Sequence, residues 1–326
     1  MPVESMTESA NSHAVIQDLG NEVYSIDTLM GGFEGITSSY FIASARPALI
    51  ETGAALSAPH VQASLEKLGC GPDDLATIVV THIHLDHAGG VGDLADAFPN
   101  ARIVVHERGA RHLADPAKLV ASAYRVFGPK MDEMFGQLIP TDAQRIDSLG
   151  ERGSIDLGAG RALDTFHNPG HASHHVALID STTGDLYTGD AAGVYVPETG
   201  DLRPATPPPD FDFDLALHSL SAMQAVGPSR LLFSHFGPTS EIDRVFNESR
   251  AQLHYWVEWV SKAHHEGVDF DHALLMVLAK DREINARFFE HQEVANKFEH
   301  LSSSEAQVRG IWRWLDTRDQ SDSSIT

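Results

Sequence analysis

The residues best suited to chemistry lie in one short run, Thr81-His82-Ile83-His84-Leu85-Asp86-His87-Ala88-Gly89-Gly90. Three imidazoles and a carboxylate within six residues supply nitrogen and oxygen donors together. That mixture suits Zn²⁺ and tolerates Fe²⁺ or Mn²⁺. Such groups are costly to bury unless something coordinates them, so the run reads as part of a metal site rather than as a His-rich solvated loop. His82, His84 and Asp86 fall at period two, and an extended segment would point all three the same way. Ala88-Gly89-Gly90 lets the chain turn, so that His87 can face a second point nearby.

Three later stretches put a candidate ligand just beyond a β-type run: Asn168-Pro169-Gly170-His171, Tyr187-Thr188-Gly189-Asp190 and Phe233-Ser234-His235-Phe236-Gly237. Taken singly each is an ordinary turn, since an Asp after Thr-Gly is usually a turn residue. Strand ends on one side of a sheet converge in space, however, so the three belong with the first run. The histidines of the C-terminal tail have no ligand-like spacing with a carboxylate. Cys70 is the only cysteine, which excludes a thiolate-built metal site and an intrachain disulfide. It also lacks the basic neighbour that a nucleophilic thiolate needs.

The elements that must position these residues follow from apolar periodicity. From about Glu22 to Ile179 short β-type runs (Val23–Ile26, Ser39–Ile42, Ala48–Ile50) alternate with helical stretches. Val61, Leu65 and Leu68 give Pro59–Leu68 a helical spacing that Gly69 stops. Thr77–Val80 is a continuous apolar run, the pattern of a strand buried on both faces. A second helix–strand pair spans Val91–Phe98 and Arg102–Val105, and Arg108–Leu138 reads as mainly helical with breaks at Pro116 and Gly128-Pro129. Gly184-Asp185 marks a hairpin, and a helix over Phe213–Ala225 precedes a strand over Arg230–Ser234. Residues 240–318 read as helix broken near Gly267. The expected division is a polar, flexible N-terminus (1–20), a mixed α/β body (21–240), a helical extension (241–318) and a polar tail (319–326).

The His-x-His-x-Asp-His run followed in order by His171, Asp190 and His235 resembles the signature of the metallo-β-lactamase superfamily, over about Glu22 to Gly237. Ile50-Glu51-Thr52-Gly53 is similar to that family's Asp-Thr-Gly turn, with Glu51 in place of Asp. Pro169-Gly170-His171, with His175 four residues on, resembles the glyoxalase II-like branch. The resemblance implies an α+β fold, a four-layer αββα sandwich with an all-helical C-terminal extension. It implies two divalent metal ions, Zn²⁺ first with Fe²⁺ or Mn²⁺ as alternatives. His82, His84 and His171 would hold one, and Asp86, His87 and His235 the other. Asp190 would bridge both together with a water or hydroxide. The implied activity is hydrolysis of a small ester, lactone or thioester carbonyl by that hydroxide, with Asp86 as the catalytic carboxylate that orients it. Tyr195 is either a substrate-facing phenol, as in similar lactonases, or an ordinary packed tyrosine. His175 is a candidate for a substrate contact or for support of the metal ligands, while Glu51 is read as outer support.

Charge bounds the partners. Lys plus Arg number 23 against 46 Asp plus Glu, a net charge of −23 that repels phosphate backbones and anionic lipid. Nucleic acid and membrane are therefore not expected, nor is a nuclease of the ribonuclease Z kind. The polar opening lacks the apolar core of an export signal. The reading is a cytoplasmic enzyme with a small-molecule substrate, and the tail would border the substrate cleft or make a homodimer contact. Two further readings stay open: an iron oxidoreductase similar to persulfide dioxygenases, with one iron on His82, His171 and Asp190, and a non-catalytic metal-binding protein.

Overall fold

A computed structural model describes residues 15–301 and 303–323. The segment up to residue 14, which holds most of the expected flexible N-terminus and the opening weighed as an export signal, lies outside the described residues. Among the described residues, two mixed sheets pack face to face between two layers of helices. The first sheet runs in chain order: β1 (Ile16–Asp18), β2 (Val23–Asp27), β3 (Ser38–Ile42), β4 (Ala48–Ile50), β5 (Thr77–Val79), β6 (Arg102–His106) and β7 (Ile146–Leu149). It is antiparallel up to β4 and parallel from there on. Helices α1 (Ala58–Lys67), α2 (Leu85–Ala88) and α3 (Val91–Ala97) fill its crossovers, with α4 (Glu107–Ala114), α5 (Ala117–Phe127) and α6 (Lys130–Phe135) between β6 and β7.

The second sheet holds β8 (Arg152–Gly158), β9 (Arg161–His167), β10 (Val176–Asp180) and β11 (Asp185–Gly189). After a separate hairpin, β12 (Val194–Val196) and β13 (Asp201–Arg203), come α7 (Phe213–Ala225), β14 (Arg230–Phe233) and β15 (Gly237–Thr239). Its spatial order is β15-β14-β11-β10-β9-β8, with β11 and β14 parallel. The helical region follows as α8 (Ile242–His265), α9 (Phe270–Ile284), α10 (Ala286–Glu290), α11 (Gln292–Leu301) and α12 (Ser304–Ser323).

Strand alternation sorts the core into layers. Ile50, Val79 and Val104 point between the sheets and meet Leu163, Leu178, Tyr187 and Leu232. Their neighbours Leu49, Ile78 and Ile103 point outward onto Val61 and Leu65 of α1 and Val91 and Leu94 of α3. Each such buried aliphatic contributes about 1.5–3 kcal/mol relative to exposure. On the far side, Leu186, Leu231 and Phe233 pack against Leu220 of α7, Phe246 and Trp256 of α8, and Ile311 of α12. The C-terminal helices thus share one core with the second sheet.

The expected four layers, the helix over 213–225 and the hairpin at Gly184-Asp185 all appear, and the strand expected over 77–80 appears one residue shorter, ending at Val79. Five short strands were not anticipated: β1, β7, β12, β13 and β15 have three or four residues each, too few for an alternation to register. α12 runs to Ser323, past position 318, because its polar end continues the helix without needing a buried face.

Candidate metal centre

The extended register expected for His82, His84 and Asp86 stops at His84. β5 ends at Val79, and His84 sits with φ −62° and ψ 151° as the cap of the single turn α2. The backbone N–H groups of His87 and Ala88 donate to His84 O at 3.1 and 2.9 Å, so Asp86 and His87 leave a helical turn side by side. Local sequence demands this turn, because α2 lies against the backbone of 54–55. A Cβ on Gly89 would sit 2.2 Å from Leu85 O and 2.8 Å from Ala55 N.

The other three residues arrive on the ends of second-sheet strands. His171 comes from the β9–β10 connection, Asp190 from the end of β11, and His235 from just past the end of β14. All seven expected residues converge. The ligand atoms of His82, His84 and His171 lie within 4.8 Å of one another, as do those of Asp86, His87 and His235, and those of His82, His87 and Asp190. Asp190 faces both groups with different oxygens. Its Oδ2 is 3.5 Å from His171 Nε2 and 4.0 Å from His82 Nε2. Its Oδ1 is 3.3 Å from His87 Nε2 and 3.6 Å from His235 Nε2.

The donors fit divalent metal ions on two observations. The first is spacing. His84 Nδ1 lies 3.0 Å from both His82 Nε2 and His171 Nε2, and Asp86 Oδ2 lies 3.1 Å from His235 Nε2 and 3.3 Å from His87 Nε2. Ligands about 2.0–2.1 Å from a tetrahedral ion stand about 3.4 Å apart, so these are the edges expected of such a shell. The second is the direction of the ring protons. His171 Nδ1 donates to Ala205 O at 3.0 Å and His235 Nδ1 to Ile36 O at 2.8 Å. Thr81 Oγ1 donates to Glu51 Oε1 at 2.5 Å and so accepts from His82 Nδ1 at 3.0 Å. Each of these rings therefore turns an unprotonated Nε2 inward, the state a metal requires.

Electrostatics separates the two trios. Burial favours the neutral ring in the first. In the second the carboxylates Asp190 and Asp86 outweigh burial and raise His235 above its ordinary value, giving its ring a proton that a metal would have to displace. Burial pushes His84 and His171 down to about 4 and His82 well below the ordinary imidazole range. Burial opposes a charged His87 too, but Asp190 and Asp86 together outweigh it and hold that ring well above its ordinary value. His87 and His235 in turn hold both carboxylates well below theirs, against the cost of burial. Asp190 Oδ1 and His87 Nδ1 are nonetheless buried without a hydrogen-bonding partner.

Supporting residues ring the cage. Glu51, 1% exposed, accepts from Thr81 and Ser234 Oγ (3.2 Å) and stands 3.6 Å from His87 Nδ1. It thereby backs His82 through Thr81 and His87 directly. His175, fully buried, accepts the backbone N–H of Asp190 at 3.1 Å. It braces that carboxylate from behind and is not among the residues lining the cavity. Tyr195 does not face the cavity either. Its ring stacks on Phe233 at 5.5 Å and packs, half-buried, against the second-sheet core, on the face of β12 opposite the buried Val194 and Val196. Its backbone O accepts from Phe236 N at 3.2 Å, next to His235.

A cavity of about 630 Å³ opens over His84, Asp86, His171, Asp190 and His235. Sequence reasoning passed over Thr81, although it directly precedes His82. It also passed over Arg108, Arg111, Lys118 and Arg125 at the cavity mouth, which the run Arg108-Gly109-Ala110-Arg111 could have flagged. No described helix is long and apolar enough to cross a membrane.

Comparison with known proteins gives a consistent result. A family model for the metallo-beta-lactamase superfamily matches residues 32–235. The metallo-beta-lactamase fold-containing protein ST1585 of Sulfurisphaera tokodaii is 30% identical over 220 residues, 66% of this chain and 78% of that protein. Its crystal structure superposes with a TM-score of 0.61 at 26% identity, covering 72% of this chain and 86% of the other. An N-acyl homoserine lactonase of Bacillus cereus is 29% identical over 166 residues, 50% of this chain and 55% of the lactonase. A hydroxyacylglutathione hydrolase of Aeromonas hydrophila is 30% identical over 126 residues, 39% and 37% of the two chains.

Proposed function

The chain belongs to the metallo-β-lactamase superfamily, and from that membership and the two-sided placement of Asp190 we propose that it is a binuclear metal hydrolase acting on an ester, lactone or thioester carbonyl. His82, His84 and His171 would hold one ion and Asp86, His87 and His235 the other, with Asp190 facing both trios; zinc is the ion that this mixture of imidazole and carboxylate favours. When bound, such a pair lowers the pKa of water from about 16 toward 7 and polarises a carbonyl. The observation that carries the reading is the split of one carboxylate, Oδ2 toward the first trio and Oδ1 toward the second. The lactonase and thioester-hydrolase relatives support the substrate class.

The chain's own residues supply the rest. Asp86, 20% exposed at its side chain, borders the cavity with Oδ2 engaged by His87 and His235. Its Oδ1 takes the proton from the attacking water and passes it to the leaving group. Held low in pKa, Asp86 stays an acceptor at neutral pH. The iron-oxidoreductase reading uses only His82, His171 and Asp190 and leaves the second trio without a purpose.

The test is elemental analysis of protein purified without added metal, followed by turnover on a panel of lactones and thioesters. We expect two metal ions per chain and hydrolysis of at least one class. Asp190→Ala should lose both metal and activity while keeping its circular dichroism. Two ions with no hydrolysis of any compound, or full activity in Asp190→Ala, would overturn the proposal.

A further inference from the structure

The outer wall of the cavity over the cage, away from Asp86 and Asp190 at its floor, has more bases than acids, the reverse of the chain as a whole. Its mouth, formed by α4, α5 and the loop before α7, carries Arg108, Arg111, Lys118 and Arg125 against Glu107 and Asp210. The chain as a whole has twice as many acids as bases, 46 to 23. Elsewhere that excess pairs arginines readily: Arg102, Arg161, Arg203, Arg230 and Arg244 all meet carboxylates within 3 Å. Among the described residues none of the four mouth cations forms an ion pair. Arg108 Nη1 donates to Ser173 O at 3.3 Å, and Arg111 Nε meets His112 Nε2 at 3.1 Å. Asp210 is committed to Ser173, accepting from its Oγ at 2.5 Å. Unpaired cations gathered on a concave wall focus a positive field into it. The wall behind them is apolar, built from Leu119, Val126, Phe127 and Phe135. A volume near 630 Å³ is far more than a simple acetyl ester fills.

Resting on the hydrolytic reading of the cage, we infer that the mouth is an anion subsite and that the substrate is an acyl compound bearing a carboxylate or phosphate at the end of an apolar spacer. The carbonyl lies over the cage, the spacer along the apolar wall, and the anion among Arg108, Arg111, Lys118 and Arg125. Guanidinium forks take either anion through paired hydrogen bonds.

The experiment uses the metal-loaded full chain and thioesters of one acyl length ending in a carboxylate, a phosphate or a neutral methylamide. Expected is a kcat/KM for one or both anionic compounds at least about tenfold above the neutral one, carried by KM, and shrinking in high salt. Arg111→Gln and Lys118→Gln should each cut that preference about fivefold and the double variant should nearly abolish it. Arg111→Lys should keep most of it. Lys262→Gln, an exposed cation outside the cavity, should keep all of it. These sites are chosen because Arg108 also ties α4 to the loop that carries His171. A second arm titrates glutarate calorimetrically into the wild type and the double variant, with about a tenfold loss of affinity expected. Equal rates on anionic and neutral compounds, or unchanged preference and glutarate affinity in the double variant, would overturn the subsite. Loss of glutarate affinity in the double variant with no hydrolysis of any thioester supports the subsite and overturns the hydrolytic reading instead.

Discussion

Replacing Glu51 by glutamine takes one charge from beneath the cage while keeping side-chain size. Glu51 Oε1 accepts from Thr81 Oγ1 at 2.5 Å and from Ser234 Oγ at 3.2 Å, and lies 3.6 Å from His87 Nδ1. A hydrogen bond to a charged group is worth about 1.5–3 kcal/mol and a neutral one about 0.5–1.5, so two such bonds lose roughly 2 kcal/mol together when the carboxylate becomes an amide. The loss falls on the metal-binding state. Thr81 no longer polarises the Nδ1–H of His82, and His87 loses the anion behind its ring. Supports of this kind tune metal affinity by about 10–100-fold, or about 1.4–2.8 kcal/mol. Chelator competition at neutral pH measures that affinity directly, with circular dichroism as the check on folding. We expect Glu51→Gln to fold and to bind metal at least about tenfold more weakly. An affinity within about twofold of the wild type would refute the idea that Glu51 acts through the imidazoles.

Gly170→Ala should destabilise the chain and strip metal together. Gly170 has φ +129°, and a Cβ there would lie 2.3 Å from Ala216 N, pushing His171 away from the cage; an unchanged melting temperature would contradict this. Asp281 is fully buried and takes Arg203 Nη1 and Nη2 at 2.6 and 2.5 Å. Asp281→Ala leaves that guanidinium without its carboxylate and should cost about 3–5 kcal/mol, roughly 4–7 °C in Tm by calorimetry. Cys70 is 3% exposed and burial pushes its thiol up to about 11. At pH 8 only about a thousandth is thiolate, against about a quarter for an ordinary thiol, so alkylation of native protein should be slow and rise with pH toward 11. Rapid labelling at pH 8 in folded protein would contradict the burial.

Much of the fold was legible because the chain states it locally. Leu49-Ile50, Ile78-Val79 and Ile103-Val104 are apolar at every position, and only strands covered on both faces read that way. The α7 boundaries at Phe213 and Ala225 were legible for a similar reason, since Asp212 accepts from Leu215 N at 2.9 Å and caps the helix. β1, β7, β12, β13 and β15 escaped because three or four residues carry too little periodicity.

The sequence by itself determined which side chains meet at the cage. Donor chemistry is written in residue type, and His82, His84, Asp86 and His87 lie too close along the chain to be separated. His171, Asp190 and His235 lie just beyond strands whose order brings those ends to one edge. What only the tertiary structure decided is direction. A helical turn, not an extended strand, aims Asp86 and His87, and β12 turns Tyr195 away from the cavity. Asp190 offers one oxygen to each trio, and four unpaired cations gather at a mouth in an acidic chain. Identity and spacing fix which groups are neighbours, whereas the backbone torsions and packing of distant segments fix where each group points.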